Sequence, residues 1–222
     1  MKEVRLIEVK QDILADNKTV ADSVRRKLKK QGVFLVNLMA SPGSGKTSLI
    51  LQTIAQLRDD LRLGVVEADI DSMVDSEKVA AQGIPAVQLR TGGFCHVDAS
   101  MVSKGLDAMD LDQFDCVIIE NVGNLVCPAE VDTGAIADVM ILSVPEGDDK
   151  PLKYPLIFSK SDVLVVNKID YLGMSDFDMS AMRDRVKTLN PDIEIFEVSS
   201  KTGEGITAWT DWLRTRVRSF IA

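Results

Sequence analysis

No apolar run in the sequence comes near the roughly 20 residues that cross a bilayer. The first residues, MKEVRLIEVKQD, are charged where an export signal would have its apolar stretch. The expectation is a soluble, unexported protein of the cytoplasm, with no membrane partner. Positive charge is also short: 26 Lys and Arg stand against 34 Asp and Glu, for a net charge of −8. A chain that binds nucleic acid through phosphate contacts needs the opposite balance, so no nucleic-acid partner is expected. Cysteine is scarce and odd in number, with Cys95, Cys116 and Cys127 showing no framework spacing. Structural disulfides are not expected in a reducing compartment, so these thiols are either buried or ligands. Histidine occurs once, at His96. What remains, 222 residues with 45% hydrophobic content, is enough for one compact domain with a sizeable core.

Within residues 1–32, Val9, Ile13, Val20, Val24 and Leu28 recur at roughly helical spacing, and the basic run from Arg25 to Lys30 stops at Gly32. This predicts an N-terminal amphipathic helical extension whose basic end suits the helix dipole and whose charge run is a solvated face. From residue 33 to 222 the pattern changes to short β-branched runs at 33–39, 64–68, 86–89, 116–120, 139–144, 163–167 and 193–198. Helical periodicity lies between them at 47–61, 72–81, 99–109, 179–189 and 205–220. The runs are continuously apolar rather than alternating, which implies burial on both faces and hence a largely parallel sheet covered by helices. The predicted fold is α/β and doubly wound, in a single domain.

Directly after the first run come Ala40-Ser41-Pro42-Gly43-Ser44-Gly45-Lys46-Thr47, then Ser48 and an apolar helical stretch. This is a phosphate-binding loop, with Ala40 where the strict pattern has Gly. Backbone N–H groups around Gly43, Ser44 and Gly45 converge on phosphate at a helix N-terminus that continues through Ser48. Lys46 neutralises the β/γ oxygens and the Thr47 hydroxyl can ligate Mg²⁺. Asn167-Lys168-Ile169-Asp170 closes the 163–167 run, at the carboxyl edge where such sheets bind nucleotides. A carboxylate there accepts from both N1–H and the 2-amino group of guanine, a donor pair that adenine lacks. Ser199, Ser200 and Lys201 follow the last run and fit a loop beside the base. Glu120-Asn121-Val122-Gly123 places an acid for a Mg²⁺-bound water and a glycine N–H for the γ-phosphate. Upstream, two of Asp69, Asp71 and Asp75 are candidates for Mg²⁺ or the attacking water, with Asp69 and Asp75 preferred. Asp71 or Ser72 serves equally well as a helix cap.

His96 sits beside Cys95 in a glycine-rich loop, and Cys127 lies four residues beyond Gly123. Thiolate with imidazole suits Zn²⁺ or Ni²⁺. Three ligands fall one short of a tetrahedral set, and adjacent residues need not point the same way. A two-fold dimer would answer the first difficulty by pooling ligands at its axis. Cys116, inside a run, reads as core filler.

Taken together, the phosphate loop, Gly92-Gly93-Phe94-Cys95-His96-Val97-Asp98-Ala99, Glu120 to Pro128, Glu146 to Pro155 and Asn167-Lys168-Ile169-Asp170 closely resemble the HypB family of hydrogenase-maturation nickel-incorporation GTPases. The resemblance covers essentially residues 15–222. It implies a P-loop GTPase that uses GTP, GDP and Mg²⁺, forms a GTP-dependent homodimer, and binds nickel or zinc at the dimer interface through Cys95, His96 and Cys127. It further implies delivery of nickel to a [NiFe]-hydrogenase large-subunit precursor with a HypA-type nickel chaperone. The cysteine motif and the histidine-rich stretch that some members carry near the N-terminus are not found ahead of Cys95, which points to a weaker, nucleotide-gated transfer site. The adjacency of Cys95 and His96 departs from the Cys-Pro-His of the urease-accessory branch. No glutamine or arginine stands out as a strong hydrolysis promoter, so turnover is expected to be slow. A small kinase, or a module in which zinc permanently staples a dimer, are the rival readings of the same residues.

Overall fold

The computed structural model describes residues 9–69 and 78–222. Its strands are β1 (Phe34–Ala40), β2 (Leu63–Asp69), β3 (Ala86–Arg90), β4 (Cys116–Glu120), β5 (Ala137–Ser143), β6 (Val163–Asn167) and β7 (Glu194–Glu197). They form one sheet in the order β3-β2-β4-β1-β5-β6-β7, and every neighbouring pair is parallel. Strands β1, β4 and β6 are buried along their whole length, β2 and β5 at all but one residue each, and the edge strands β3 and β7 are only partly covered. Continuous hydrophobicity therefore marked the middle of the sheet correctly.

The longer helices are α1 (Val9–Gln31), α2 (Lys46–Leu57), α3 (Ala99–Asp107), α7 (Met179–Leu189) and α8 (Ile206–Ile221). Between them lie three short ones, α4 (Cys127–Glu130), α5 (Lys150–Lys153) and α6 (Pro155–Lys160), that periodicity did not foretell. Each carries a proline in its first turn, where the missing N–H costs nothing, and each is too short to show a helical repeat. The expected helix at 72–81 falls mostly outside the described residues. No described helix is long and apolar enough to cross a membrane.

On one face of the sheet, Leu49, Ile50, Ile54 and Leu57 of α2 meet Trp209, Leu213 and Val217 of α8, and the Trp209 indole donates to Thr53 Oγ1 at 2.9 Å. On the other face α1 and α3 bury Val24, Leu28, Val102 and Leu106 against Val66, Val117 and Ile119. Alongside them, α6 and α7 cover β5 and β6 with Ile157, Phe158, Met182 and Val186. Each fully buried aliphatic side chain contributes about 1.5–3 kcal/mol.

Helix α1 is thus part of the second core, with Ala21 and Leu28 wholly buried; the side chains of Val9 and Ile13 lie outside the described residues. It also approaches the loop before β5 closely. Gly134 has φ +80°, and a Cβ there would sit 2.8 Å from Val24 Cβ, so only glycine lets the two backbones meet. Arg25 donates to both carboxylate oxygens of Asp132, at 3.0 and 2.5 Å, and to Ala135 O at 3.2 Å. Asn17 bridges two loops, donating to Asp132 O at 2.8 Å and accepting from Ala99 N at 3.0 Å.

Candidate functional site

Because all strands are parallel, the loops that leave their carboxyl ends gather along one edge of the sheet. The loop between β1 and α2 turns on Gly45, whose φ of +96° ends in the N-terminus of α2. A Cβ on Gly45 would fall 2.5 Å from Asn167 Nδ2, so the glycine is required for contact with the loop after β6. Asn167 ties three segments together. Its Nδ2 donates to Ser44 O at 3.0 Å, and its Oδ1 accepts from Ser200 N at 3.1 Å and Ser200 Oγ at 3.0 Å. Lys168, held at φ +61°, reaches back with Nζ to Gly43 O at 2.7 Å. Asp170 accepts from Ser199 Oγ at 2.6 Å, and Ser199 Oγ itself accepts from Thr202 N at 3.2 Å.

Two cavities open on this edge. One, of about 320 Å³, is walled by Asn167, Lys168, Asp170, Tyr171, Ser200 and Lys201. The other, of about 570 Å³, contains Lys46, Thr47, Asp69, Glu120 and Gly123. Gly45, Ser48 and Lys168 line both, so the two adjoin along the start of α2. Thr47 Oγ1 donates to Glu120 Oε1 at 2.9 Å, which brings the two expected Mg²⁺-side residues into direct contact. Gly123 lies against the phosphate loop, where an added Cβ would be 3.0 Å from the Pro42 ring and backbone nitrogen. Asp75, with Asp71 and Ser72, lies outside the described residues.

Sequence reasoning missed Glu67, Lys78 and Gln88, which line the larger cavity. Glu67 stands in register with Glu120 on one side and Gln88 on the other, and is only 3% exposed. A signal was present, since a lone carboxylate interrupts an otherwise apolar strand that the pattern buries on both faces.

The second site lies on the neighbouring loops. Cys95, His96 and Cys127 bring their ligating atoms within 4.8 Å of one another, the only such trio among the described residues. Cys95 Sγ is 2.7 Å from Cys127 Sγ and 3.8 Å from His96 Nδ1. Gly92 and Gly93, both at positive φ, fold the loop so that the adjacent Cys95 and His96 converge. Asp98 then caps α3 by accepting from Met101 N at 2.8 Å. Asn124 holds the two halves together, its Nδ2 donating to Cys95 O at 3.3 Å and its Oδ1 accepting from Val126 N at 3.0 Å. The adjoining Cys95 thiol and partial burial push the Cys127 thiol above its ordinary range. All three side chains are partly exposed, and soft thiolates with an imidazole form a donor set for Zn²⁺ or Ni²⁺. Cys116 is fully buried in β4, and burial pushes its thiol strongly upward, as befits a core residue.

A family profile described as the CobW/HypB/UreG nucleotide-binding domain matches residues 34–197. Over 225 aligned residues the chain is 43% identical to the hydrogenase maturation factor HypB of Azotobacter vinelandii, spanning 100% of this chain and 74% of that protein. Among solved structures it is similar to HypB from Helicobacter pylori in complex with nickel, with a TM-score of 0.87 and 36% identity, covering 92% of this chain and 96% of that one. It is also similar to HypB from Archaeoglobus fulgidus, with a TM-score of 0.86 and 39% identity over 92% of this chain and all of that one.

Proposed function

The chain belongs to the CobW/HypB/UreG nucleotide-binding family, among the HypB hydrogenase maturation factors, and on that premise we propose that it is a GTP-hydrolysing switch that gates a nickel or zinc site. In this reading GTP lies along the two adjoining cavities. Asp170, oriented by Ser199, accepts from guanine, while Ser200 and Lys201 flank the base. Backbone N–H groups of residues 43–48 and the ammonium of Lys46 hold the phosphates. The hydroxyl of Thr47 and the carboxylate of Glu120, with Asp69 on the same cavity wall, are hard oxygen donors that fit Mg²⁺. Mg²⁺ would neutralise charge on the β- and γ-phosphate oxygens during transfer to water. Asp69 and Asp75 are the residues assigned to orient that water, and Glu120 keeps Thr47 in place.

The observation that carries the reading is the short path from nucleotide to metal. Glu120 contacts Thr47, Gly123 abuts Pro42, and the same segment then delivers Cys127, with Asn124 joining it to Cys95. A change at the γ-phosphate therefore has a packed route to the thiols. One protomer supplies three ligands, so a GTP-dependent homodimer that pools two trios would complete the coordination. The nickel in the similar Helicobacter pylori protein supports nickel as cargo here. A HypA-type chaperone and a [NiFe]-hydrogenase large-subunit precursor would be the donor and the client.

The test measures metal stoichiometry and molecular mass with GDP and with a non-hydrolysable GTP analogue. The expected result is a dimer with interchain metal in the GTP-analogue state. Cys127→Ala should weaken metal binding more than tenfold with little change in nucleotide affinity, and Thr47→Ala should abolish Mg²⁺-dependent hydrolysis with the fold intact. Metal affinity that is the same with either nucleotide would refute the switch.

A further inference from the structure

Cys127 has a covalent path to the nucleotide loop, but Cys95 and His96 belong to a different segment, the one joining β3 to α3. Nothing in the chain's connectivity makes that segment respond when Glu120 to Gly123 moves. Asn124 ties that segment to the Cys127 side through Cys95 O, and Asn121 ties it directly to the nucleotide side. Asn121 is wholly buried, and its Oδ1 accepts from Val122 N at 2.9 Å and from Val97 N at 3.2 Å. Val122 is the residue before Gly123, and Val97 the residue after His96. One carbonyl oxygen thus holds the backbone of both the nucleotide loop and the Cys-His loop.

The amide cannot turn freely. Its Nδ2 donates to Asn37 Oδ1 at 3.0 Å, and Asn37, 1% exposed on β1, donates in turn to Asp138 Oδ1 at 2.8 Å. The Asn121 backbone N–H is fixed as well, donating to Leu38 O at 3.0 Å. This row of hydrogen bonds runs from β4 through β1 to β5 and sets which end of the Asn121 amide faces the two loops. A buried group that loses a partner is costly, so a displaced Val122 N–H must carry Asn121, and with it Val97, or leave an amide unsatisfied.

We propose that Asn121 is the positioning residue through which nucleotide state reaches Cys95 and His96, so that both halves of the metal trio move together. The inference rests on the nucleotide-gated reading above and deepens it. Asn121 lines the cavity assigned to the phosphates, but its side-chain amide is spent on Val97, Val122 and Asn37, so in this role it ligates neither metal nor phosphate. It acts through the backbone of Val97 and Val122, whereas Asn124 acts within the trio.

The readout is a ratio: Ni²⁺ or Zn²⁺ affinity with the GTP analogue divided by that with GDP, measured by chelator competition on the full chain. A residue that merely supports the fold shifts both affinities together and leaves the ratio alone. In the wild type the ratio should differ from unity by tenfold or more, and Asn121→Ala should bring it at least threefold closer to unity even where the separate affinities move, the remainder being carried by the covalent path to Cys127 and by Asn124. A folded Asn121→Ala protein that keeps the wild-type ratio overturns the role of Asn121 and leaves the switch standing. A wild-type ratio of one overturns both. Should the variant fail to melt cooperatively, the backbone amide resonances of metal-free wild type decide. Exchanging GDP for the analogue should shift Val97 together with Val122, and a Val97 amide that stays fixed while Val122 responds overturns the proposal.

Discussion

Replacing Asp170 by Asn changes one atom, yet the geometry around it dictates a large effect. Ser199 Oγ receives a hydrogen bond from Thr202 N at 3.2 Å, so its own proton is directed to Asp170 Oδ1 at 2.6 Å. In Asp170→Asn that donated proton selects the amide oxygen, which leaves the NH₂ facing the cavity walled by Asn167, Lys168 and Ser200. Guanine then meets a donor where it needs an acceptor. Losing one hydrogen bond to an ionised acceptor costs about 1.5–3 kcal/mol, or roughly 10- to 150-fold in dissociation constant. Xanthine presents a 2-oxo group at the same place and should gain what guanine loses. Competition of GDP, XDP and IDP against a fluorescent guanine nucleotide measures this directly. IDP, lacking the 2-amino group, should already bind the wild type more weakly than GDP. Unchanged GDP affinity in Asp170→Asn would refute the guanine assignment, and a loss without a gain for XDP would refute the orientation imposed by Ser199.

Two further outcomes follow from burial. Burial, with the charges of Asp162 and Asp132, pushes the Asp138 carboxyl up to about 6, while the hydrogen bond from Asn37 and the charge of Arg25 pull the other way. The folded state then holds the Asp138 proton to higher pH than the unfolded chain, so stability falls as pH rises from about 4 to about 6, and the cost is complete above that. Asp138→Asn should therefore gain up to about 3 kcal/mol relative to wild type at pH 8 compared with pH 4, as read from denaturant melts; equal differences at the two pH values would contradict it. Of the free cysteines, Cys95 and Cys127 are partly exposed while Cys116 is buried. Alkylation of the native metal-free protein should label the first two and reach Cys116 only on unfolding, and added Zn²⁺ or Ni²⁺ should protect both. Uniform labelling of all three would count against the separation of roles.

The nucleotide side was legible because its chemistry is written in short contiguous stretches. Gly45, Lys46 and Thr47 lie on one turn, and Asn167 to Asp170 on another, so strand-end placement sufficed to bring them together. The metal trio was legible in residue type but not in geometry. Whether Cys95 and His96 converge depends on backbone angles at Gly92 and Gly93 that a sequence leaves open. Glu67 escaped because a carboxylate inside a buried strand has meaning only once its register with Glu120 and Gln88 is known. Strand limits were displaced by a residue or so, as at Glu194–Glu197, since pairing with a neighbour decides where a ladder stops. The contacts of Asn17 and Arg25 were beyond reach for a related reason: they join residues 82 to 115 positions apart.

Those contacts give α1 a phase. Asn17 and Arg25 lie two helical turns apart, about 12 Å along the axis at 1.5 Å per residue, and both meet the segment around Asp132. Removing one residue between them would swing one side chain about 100° away from its partners while leaving helicity and amphipathic content almost untouched. Length, rather than composition, is thus what this stretch of helix must keep for both contacts to form. A fragment cut at the apparent boundary near residue 33 would uncover the apolar side of α3 and the end of β1 around Leu35 that Val24 and Leu28 help bury. It would also leave Ala99 N–H and Asp132 C=O without their side-chain partner, so any metal affinity recorded on it would belong to a differently framed pair of loops.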